Sequence, residues 1–193
     1  PVMRERRRAL DDLPFLDREL FYSSTRLGRF PMRSFMVSRG CPYKCTYCFN
    51  HKYNLLYKGK GALHSRMSVE RVISELKELK SRYETQFIKF YDDIFVMKDD
   101  EWLDEFSERY PVEIGLPFHC LMRANLLTEP ILLKLKKAGL ASMSMSIESG
   151  NDRVRNEVLK RNMTKETLIE AFDLCHKHNV PTFSNTIFAI PGT

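Results

Sequence analysis

Residues 33–48 read RSFMVSRGCPYKCTYC, and the fold turns on how this stretch divides. Arg33 to Ser38 is a short β-rich run of the kind that forms a strand. Gly40-Cys41-Pro42 breaks it and opens a loop carrying Cys41, Cys45 and Cys48. The three thiols are therefore expected just beyond the carboxyl end of a first strand.

Working outward, β-rich runs alternate with longer stretches of helical period, the pattern of a parallel sheet covered by helices. Ser68 caps a helix to about Tyr83, with Val69, Val72, Ile73, Leu76 and Leu79 on one face. Gln86 to Tyr91 is the second strand and ends in Asp92-Asp93, and a helix over about Asp99 to Arg109 follows. Pro117 to Leu121 is the third strand, ending near Arg123. Thr128 and Glu129-Pro130 open the next helix and Gly139 closes it. Ser142 to Ile147 is the fourth strand, with Met143 and Met145 on its core face, and it ends at Glu148. Helices over Asp152 to Leu159 and Thr164 to His178 precede a fifth strand, Thr182 to Ile190. Right-handed crossovers wind such repeats into an α/β fold, a partial (β/α) TIM-like barrel of parallel strands. In that architecture the carboxyl ends of the strands carry the chemistry.

Composition bounds the reading. The 193 residues are 43% hydrophobic, enough to bury one substantial core. The excess of 31 Lys+Arg over 25 Asp+Glu owes much to Arg4, Arg6, Arg7 and Arg8, which read as a solvated linker rather than a nucleic-acid arm. No apolar run approaches the roughly 20 residues of a membrane helix, and no signal-peptide core follows the start. A reducing, cytoplasmic setting is expected. Residues 1–30 read as a connector to a missing amino-terminal domain and 31–193 as the core barrel. Because the sequence opens at Pro1 and ends at Pro191-Gly192-Thr193 after an apolar run, the chain is expected to be a piece of a longer protein.

Three of the five cysteines fall within eight residues, spaced CxxxCxxC, which suits a metal better than disulfides. Three thiolates can hold three irons of a 4Fe-4S cubane and leave the fourth iron open. Two alternatives stand beside this: a structural zinc site with His51 as fourth ligand, and a non-catalytic electron-carrying cluster saturated by four cysteines. Cys120 and Cys175 sit singly in apolar surroundings and read as buried small hydrophobes.

The segment RGCPYKCTYCFN resembles the cluster loop of the radical S-adenosylmethionine (SAM) superfamily, in which the amino and carboxylate groups of SAM ligate the fourth iron. The resemblance runs from about Phe30 to Thr193. It implies that Tyr47 packs beside the SAM adenine, a plain hydrophobic role being the alternative. Asp92-Asp93 stands where many relatives carry Gly-Gly-Glu, so one of the two is expected to accept from the SAM ammonium unless the pair is a solvated acidic turn. Glu148, in SMSMSIESGNDRVRN, is expected at the SAM ribose or amino group, or else as a helix cap. The segment NTIFAIPGT resembles the strand against the adenine, with Ala189 in place of a glycine and a backbone contact from Ile190 or Pro191. Arg123 is placed to pair with a SAM or substrate carboxylate or with an acid on the barrel rim.

Family resemblance implies a reaction in which one electron cleaves SAM to methionine and a 5′-deoxyadenosyl radical that abstracts hydrogen from a small-molecule substrate. It also implies a flavodoxin- or ferredoxin-type reductant. Leu10 to Asp17 looks like the connector of cobalamin-binding members, so cobalamin is expected on a separate domain, with methyl transfer or ring rearrangement as the activity. A methylthiotransferase-like or anaerobic cyclase-like relative without cobalamin is the competing branch.

Overall fold

A computed structural model describes residues 3–191. Pro1, Val2, Gly192 and Thr193 lie outside the described residues, so the opening residue and the end of the NTIFAIPGT segment are not placed. In chain order the strands are β1 (Met32–Phe35), β2 (Ser38–Arg39), β3 (Ser65–Arg66), β4 (Phe87–Phe90), β5 (Phe118–Leu121), β6 (Leu140–Ser144) and β7 (Thr182–Phe183). The α-helices are α1 (Glu19–Ser24), α2 (Phe49–Leu56), α3 (Val69–Arg82), α4 (Glu101–Glu113), α5 (Glu129–Ala138) and α6 (Lys165–Lys177). Five strands form one parallel sheet in the order β1-β4-β5-β6-β7, and β2 pairs antiparallel with β3. This is the α/β partial barrel the alternating pattern predicts.

The helices form where capping and period agree. Ser68 and Thr164 each accept from a backbone amide three residues on, and Gly139 ends α5 in the left-handed conformation. Their apolar faces cover one side of the sheet. Phe90 and Phe118 from the strands meet Phe95, Phe106 and Tyr110 there, and Met143, Met145, Cys120 and Cys175 are sealed in the same core. Strand alternation turns Lys89, His119, Ser142 and Ser144 to the opposite, concave side.

Several elements depart from expectation. The first strand ends at Phe35, not Ser38, because the Val37 and Ser38 amides turn away to the carboxylate of Asp92. Eight residues after Cys48, expected as loop, form α2 with Cys48 at its N-cap. Helix α4 runs through Pro111 to Glu113, its last turn held by the Ile114 and Gly115 amides on the Tyr110 carbonyl. The segment after Asp152 is a π-helix over Val154–Val158 rather than an α-helix. The fifth strand shortens to Thr182–Phe183, followed by an isolated parallel bridge between Glu148 and Thr186.

The amino-terminal stretch is not a bare solvated arm. Arg6 donates to Asn54 Oδ1 at 2.9 Å and lies 4.5 Å over the Tyr53 ring, and Leu10 is buried. Residues 10–30 and the edge strand β1 enclose an apolar groove of about 630 Å³, and none of the cysteines lines it.

Candidate active site

The cysteine loop leaves β2 through Gly40, whose φ of +85° puts it in the left-handed region. A Cβ there would stand 2.4 Å from the Leu63 carbonyl oxygen, so both dihedral and space require glycine before Cys41. Cys41 and Cys45 are buried and Cys48 half-buried. Cys48 occupies the N-cap position of α2, so the loop's last thiol stands at the start of that helix. Burial pushes the Cys41 thiol above its ordinary range, opposed by a backbone hydrogen bond at Tyr43 and by the charge of Arg123.

Arg123, just past β5, joins much of the site. Its Nη1 points at Cys45 Sγ from 3.5 Å, its Nη2 donates to the Arg161 carbonyl at 2.7 Å, and the guanidinium stacks 3.7 Å over the Tyr43 ring. The loop is also fastened to the π-helix, since Thr46 Oγ1 donates to the Val158 carbonyl and Thr46 N to that of Leu159.

Tyr47 and Glu148 meet. The phenol donates to Glu148 Oε1 at 3.0 Å, and Arg161 Nη1 donates to the phenol oxygen at 2.5 Å while lying 3.5 Å from the same carboxylate. Burial raises the Tyr47 phenol, with Arg161 opposing. Tyr47 as a residue is nonetheless 42% exposed. The fourth parallel strand ends at Ser144 rather than Ile147, and Glu148, four residues beyond it in the isolated bridge to Thr186, adopts a φ of 65°.

The two adjacent aspartates divide. Asp92 is fully buried; its Oδ1 accepts from Val37 N, Ser38 N and Ser38 Oγ, and burial pushes its carboxyl up to about 6. It is engaged in shaping the strand break. Asp93 is half-buried and accepts from Asn50 Nδ2 at 2.8 Å. Ile190 is half-buried past the Glu148–Thr186 bridge, and the preceding Ala189 takes a φ of 55°, the conformation a glycine would give.

Arg161, Thr46, Asn50 and Asn54 escaped the sequence reading. Asn54 Nδ2 donates to the Cys41 carbonyl at 2.8 Å and Asn54 Oδ1 accepts from Arg6, which ties residue 6 to the loop. No spacing signal marks Arg161; it is found only by folding.

Does this donor set fit a cubane? Among the described residues no three His, Cys, Asp or Glu side chains converge on one metal ion. A tetrahedral zinc site needs such convergence, whereas cubane ligands attach to three separate irons. Among the described residues five buried side-chain polar atoms lack a partner, Arg6 Nε, His64 Nε2, Arg71 Nε, Tyr110 Oη and Arg161 Nε, and of these Arg161 Nε stands beside the Tyr47–Glu148 pair, where a polar ligand could accept from it. The residues present fit the cluster.

Fold and loop together define an α/β protein whose parallel half-barrel offers three thiols, a carboxylate and a cationic bracket at the carboxyl ends of its strands. The family model described as the radical SAM superfamily matches residues 35–193, and the chain belongs to that superfamily. Membership implies a 4Fe-4S cluster and SAM as cofactors. The chain is 26% identical over 185 residues to an uncharacterized methyltransferase of Pyrococcus horikoshii, covering 94% of this chain and 38% of that protein. It is 28% identical over 132 residues to the cytidylyl-2-hydroxyethylphosphonate methyltransferase of Streptomyces wedmorensis, covering 67% of this chain and 23% of that protein. The chain thus spans well under half the length of these curated relatives. Among solved structures, the radical SAM methyltransferase TsrM of Kitasatospora setae, with tryptophan and a SAM analogue bound, superimposes with a TM-score of 0.71 at 19% identity, covering 97% of this chain and 34% of that one. Methylornithine synthase gives 0.63 at 16% identity, covering 91% and 52%.

Proposed function

We propose that the chain is the cluster- and SAM-binding core of a radical SAM methyltransferase, working in a longer protein alongside cobalamin. The observation that carries this reading is the bond between Tyr47 in the cysteine loop and Glu148 at the end of the fourth repeat. It brings a thiol loop and a diol- or ammonium-accepting carboxylate to one rim of the sheet. When bound, the cluster and SAM supply one-electron cleavage of a sulfonium bond to give methionine and a 5′-deoxyadenosyl radical.

The protein's own residues bind and position. Cys41, Cys45 and Cys48 are the cluster ligands, and Arg123 supplies positive charge beside Cys45. Tyr47 offers its ring to the adenine, Glu148 accepts from the ribose or amino group, and Asp93 is the aspartate left to accept an ammonium. The Ile190 backbone lies against the adenine.

The methyltransferase reading draws support from the names of the sequence relatives and from TsrM, which has also been solved with cobalamin and a 4Fe-4S cluster bound. Within it, residues 1–30 serve as connector and 31–193 as core. Exposed Arg39, Lys44 and Lys52 around the loop suit an acidic flavodoxin- or ferredoxin-type donor. A cytoplasmic, reducing setting accords with five free cysteines, and no helix among the described residues is long and apolar enough to cross a membrane.

Anaerobic reconstitution with iron and sulfide, then mass spectrometry for 5′-deoxyadenosine after adding SAM and dithionite, tests the reading. A colourless protein with one zinc per chain and no labile sulfide would overturn it.

A further inference from the structure

Across the concave side of the sheet, one register layer is polar from strand to strand. Ser34 pairs with Lys89, Lys89 with His119, and His119 with Ser142. The residues immediately before and after Lys89 and His119 point the other way, into the aromatic core. His119 is pinned, with Nδ1 2.7 Å from Ser142 Oγ and Nε2 2.9 Å from Ser144 Oγ. Burial, and then the charge of Lys89 beside it, lower the His119 imidazole below its ordinary range.

Lys89 is the unmatched member of the layer. The residue is half-buried on its strand, and the partner of its ammonium among the described residues is the face of Tyr91, 4.6 Å away, with no carboxylate in ion-pair range. A strand lysine that lays its stem on the concave face and pairs its head with no carboxylate leaves that cation available to an anion entering from the same side. The amine also stands at a useful depth. Three residues separate Lys89 from Asp92 at the rim, about 10 Å along the strand. A small molecule anchored at the amine would reach the rim with its far end.

We propose that Lys89, flanked by Ser34 and backed by the pinned His119, is a subsite for the oxyanion of the substrate, a carboxylate or a phosphate-type group. This deepens the radical SAM reading by naming the substrate class, and rests on it for the word substrate. The amine donates charge-assisted hydrogen bonds to the oxyanion and Ser34 adds a hydroxyl donor, while the two serine hydroxyls hold the His119 ring in place behind them.

Equilibrium dialysis of the cluster-reconstituted chain against radiolabelled inorganic phosphate, N-acetylglycine and SAM, on wild type, Lys89→Met and Lys89→Arg, tests it. Wild type is expected to bind one of the two anions, the one bound distinguishing phosphate-type from carboxylate substrates. Lys89→Met should weaken that binding about tenfold or more, and Lys89→Arg should hold it within about threefold. SAM binding should be equal in all three proteins. Equal anion binding by wild type and Lys89→Met, or none by wild type, overturns the subsite. Loss of SAM binding in every protein with Lys89-dependent anion binding intact overturns the core reading instead. Should Lys89→Met fail to fold, acylation of wild type read by peptide mass spectrometry decides: the bound anion should shield Lys89, and unchanged labelling overturns the proposal.

Discussion

The Tyr47 hydroxyl donates to Glu148 Oε1 across 101 residues of sequence, and this bond closes the cysteine loop onto the far side of the half-barrel. Arg161 holds both ends. Tyr47→Phe removes two hydrogen bonds, the one the phenol donates to Glu148 and the one it accepts from Arg161, and leaves the Arg161–Glu148 pair, for an expected loss of about 2 kcal/mol. Arg161→Ala leaves a carboxylate that is 7% exposed without its cation and should lose about 3 kcal/mol. The double variant should lose less than the sum, because the three groups share one network. Urea unfolding of the metal-free chain measures all three; strictly additive losses would show that the triad is not coupled.

Cys41→Ala, Cys45→Ala and Cys48→Ala should each lower bound iron and labile sulfide after reconstitution to near background. Cys120→Ala and Cys175→Ala should load as wild type does, because both thiols lie in the apolar core on the helix side of the sheet. Their expected change is a small fall in stability, about 1 kcal/mol for a lost buried sulfur. Iron and sulfide assays on the five proteins separate the ligands from the core thiols.

Gly40→Ala should disturb the same loop without touching a ligand. The positive φ alone costs a non-glycine residue about 1–2 kcal/mol, and the new Cβ would meet the Leu63 carbonyl. Lower cluster retention together with a lower unfolding midpoint is the expected result, read from iron content after gel filtration.

The alternation of elements was legible because each strand and most helices carry their own local signals. Ser68, Thr164 and Gly139 mark helix ends by capping chemistry that acts within four residues. The cysteine spacing was equally local. What stayed hidden depends on residues far apart in sequence. Asp92 looked like half of an interchangeable pair, and only the placement of Val37 and Ser38 beside it assigns it to the strand break. Arg161 lies 114 residues from the phenol it meets, in a stretch with no periodic or turn signature. The π-helix over Val154–Val158 could not be told from an α-helix by apolar spacing, since the loop it anchors through Thr46 sets its geometry from outside.

Asp92 gives a pH signature. Its carboxyl rises from 3.8 to about 6 on folding, chiefly through burial, so between those values the folded chain holds a proton that the unfolded chain has released. Stability from this group is therefore full below about pH 4, falls as the pH rises through 6, and is flat above. Groups held low, such as Glu113 at about 2 beside Arg109 and Lys77, act the other way and at lower pH. Asp92→Asn should lack the decline, so the difference between its urea-derived stability and that of wild type should change by roughly 3 kcal/mol across pH 4 to 6. Parallel curves for the two proteins would refute this.

Arg123→Met tests what the guanidinium does beside the cluster ligands. Arg123 Nη1 lies 3.5 Å from Cys45 Sγ, and its charge is one of the influences that lower the Cys41 thiol. Methionine keeps much of the side chain's bulk over the Tyr43 ring but removes the charge and the donor. In the metal-free chain the Cys41 thiol should then titrate at higher pH, seen as slower alkylation at a fixed pH near neutrality. In the reconstituted chain a nearby positive charge stabilises the more negative, reduced cluster, so its removal should make the midpoint potential more negative. A purely structural Arg123, acting through its bond to the Arg161 carbonyl, would lower stability yet leave both the potential and the alkylation rate where they were. Potentiometric titration followed by electron paramagnetic resonance, run beside a timed alkylation of the metal-free protein, distinguishes these outcomes.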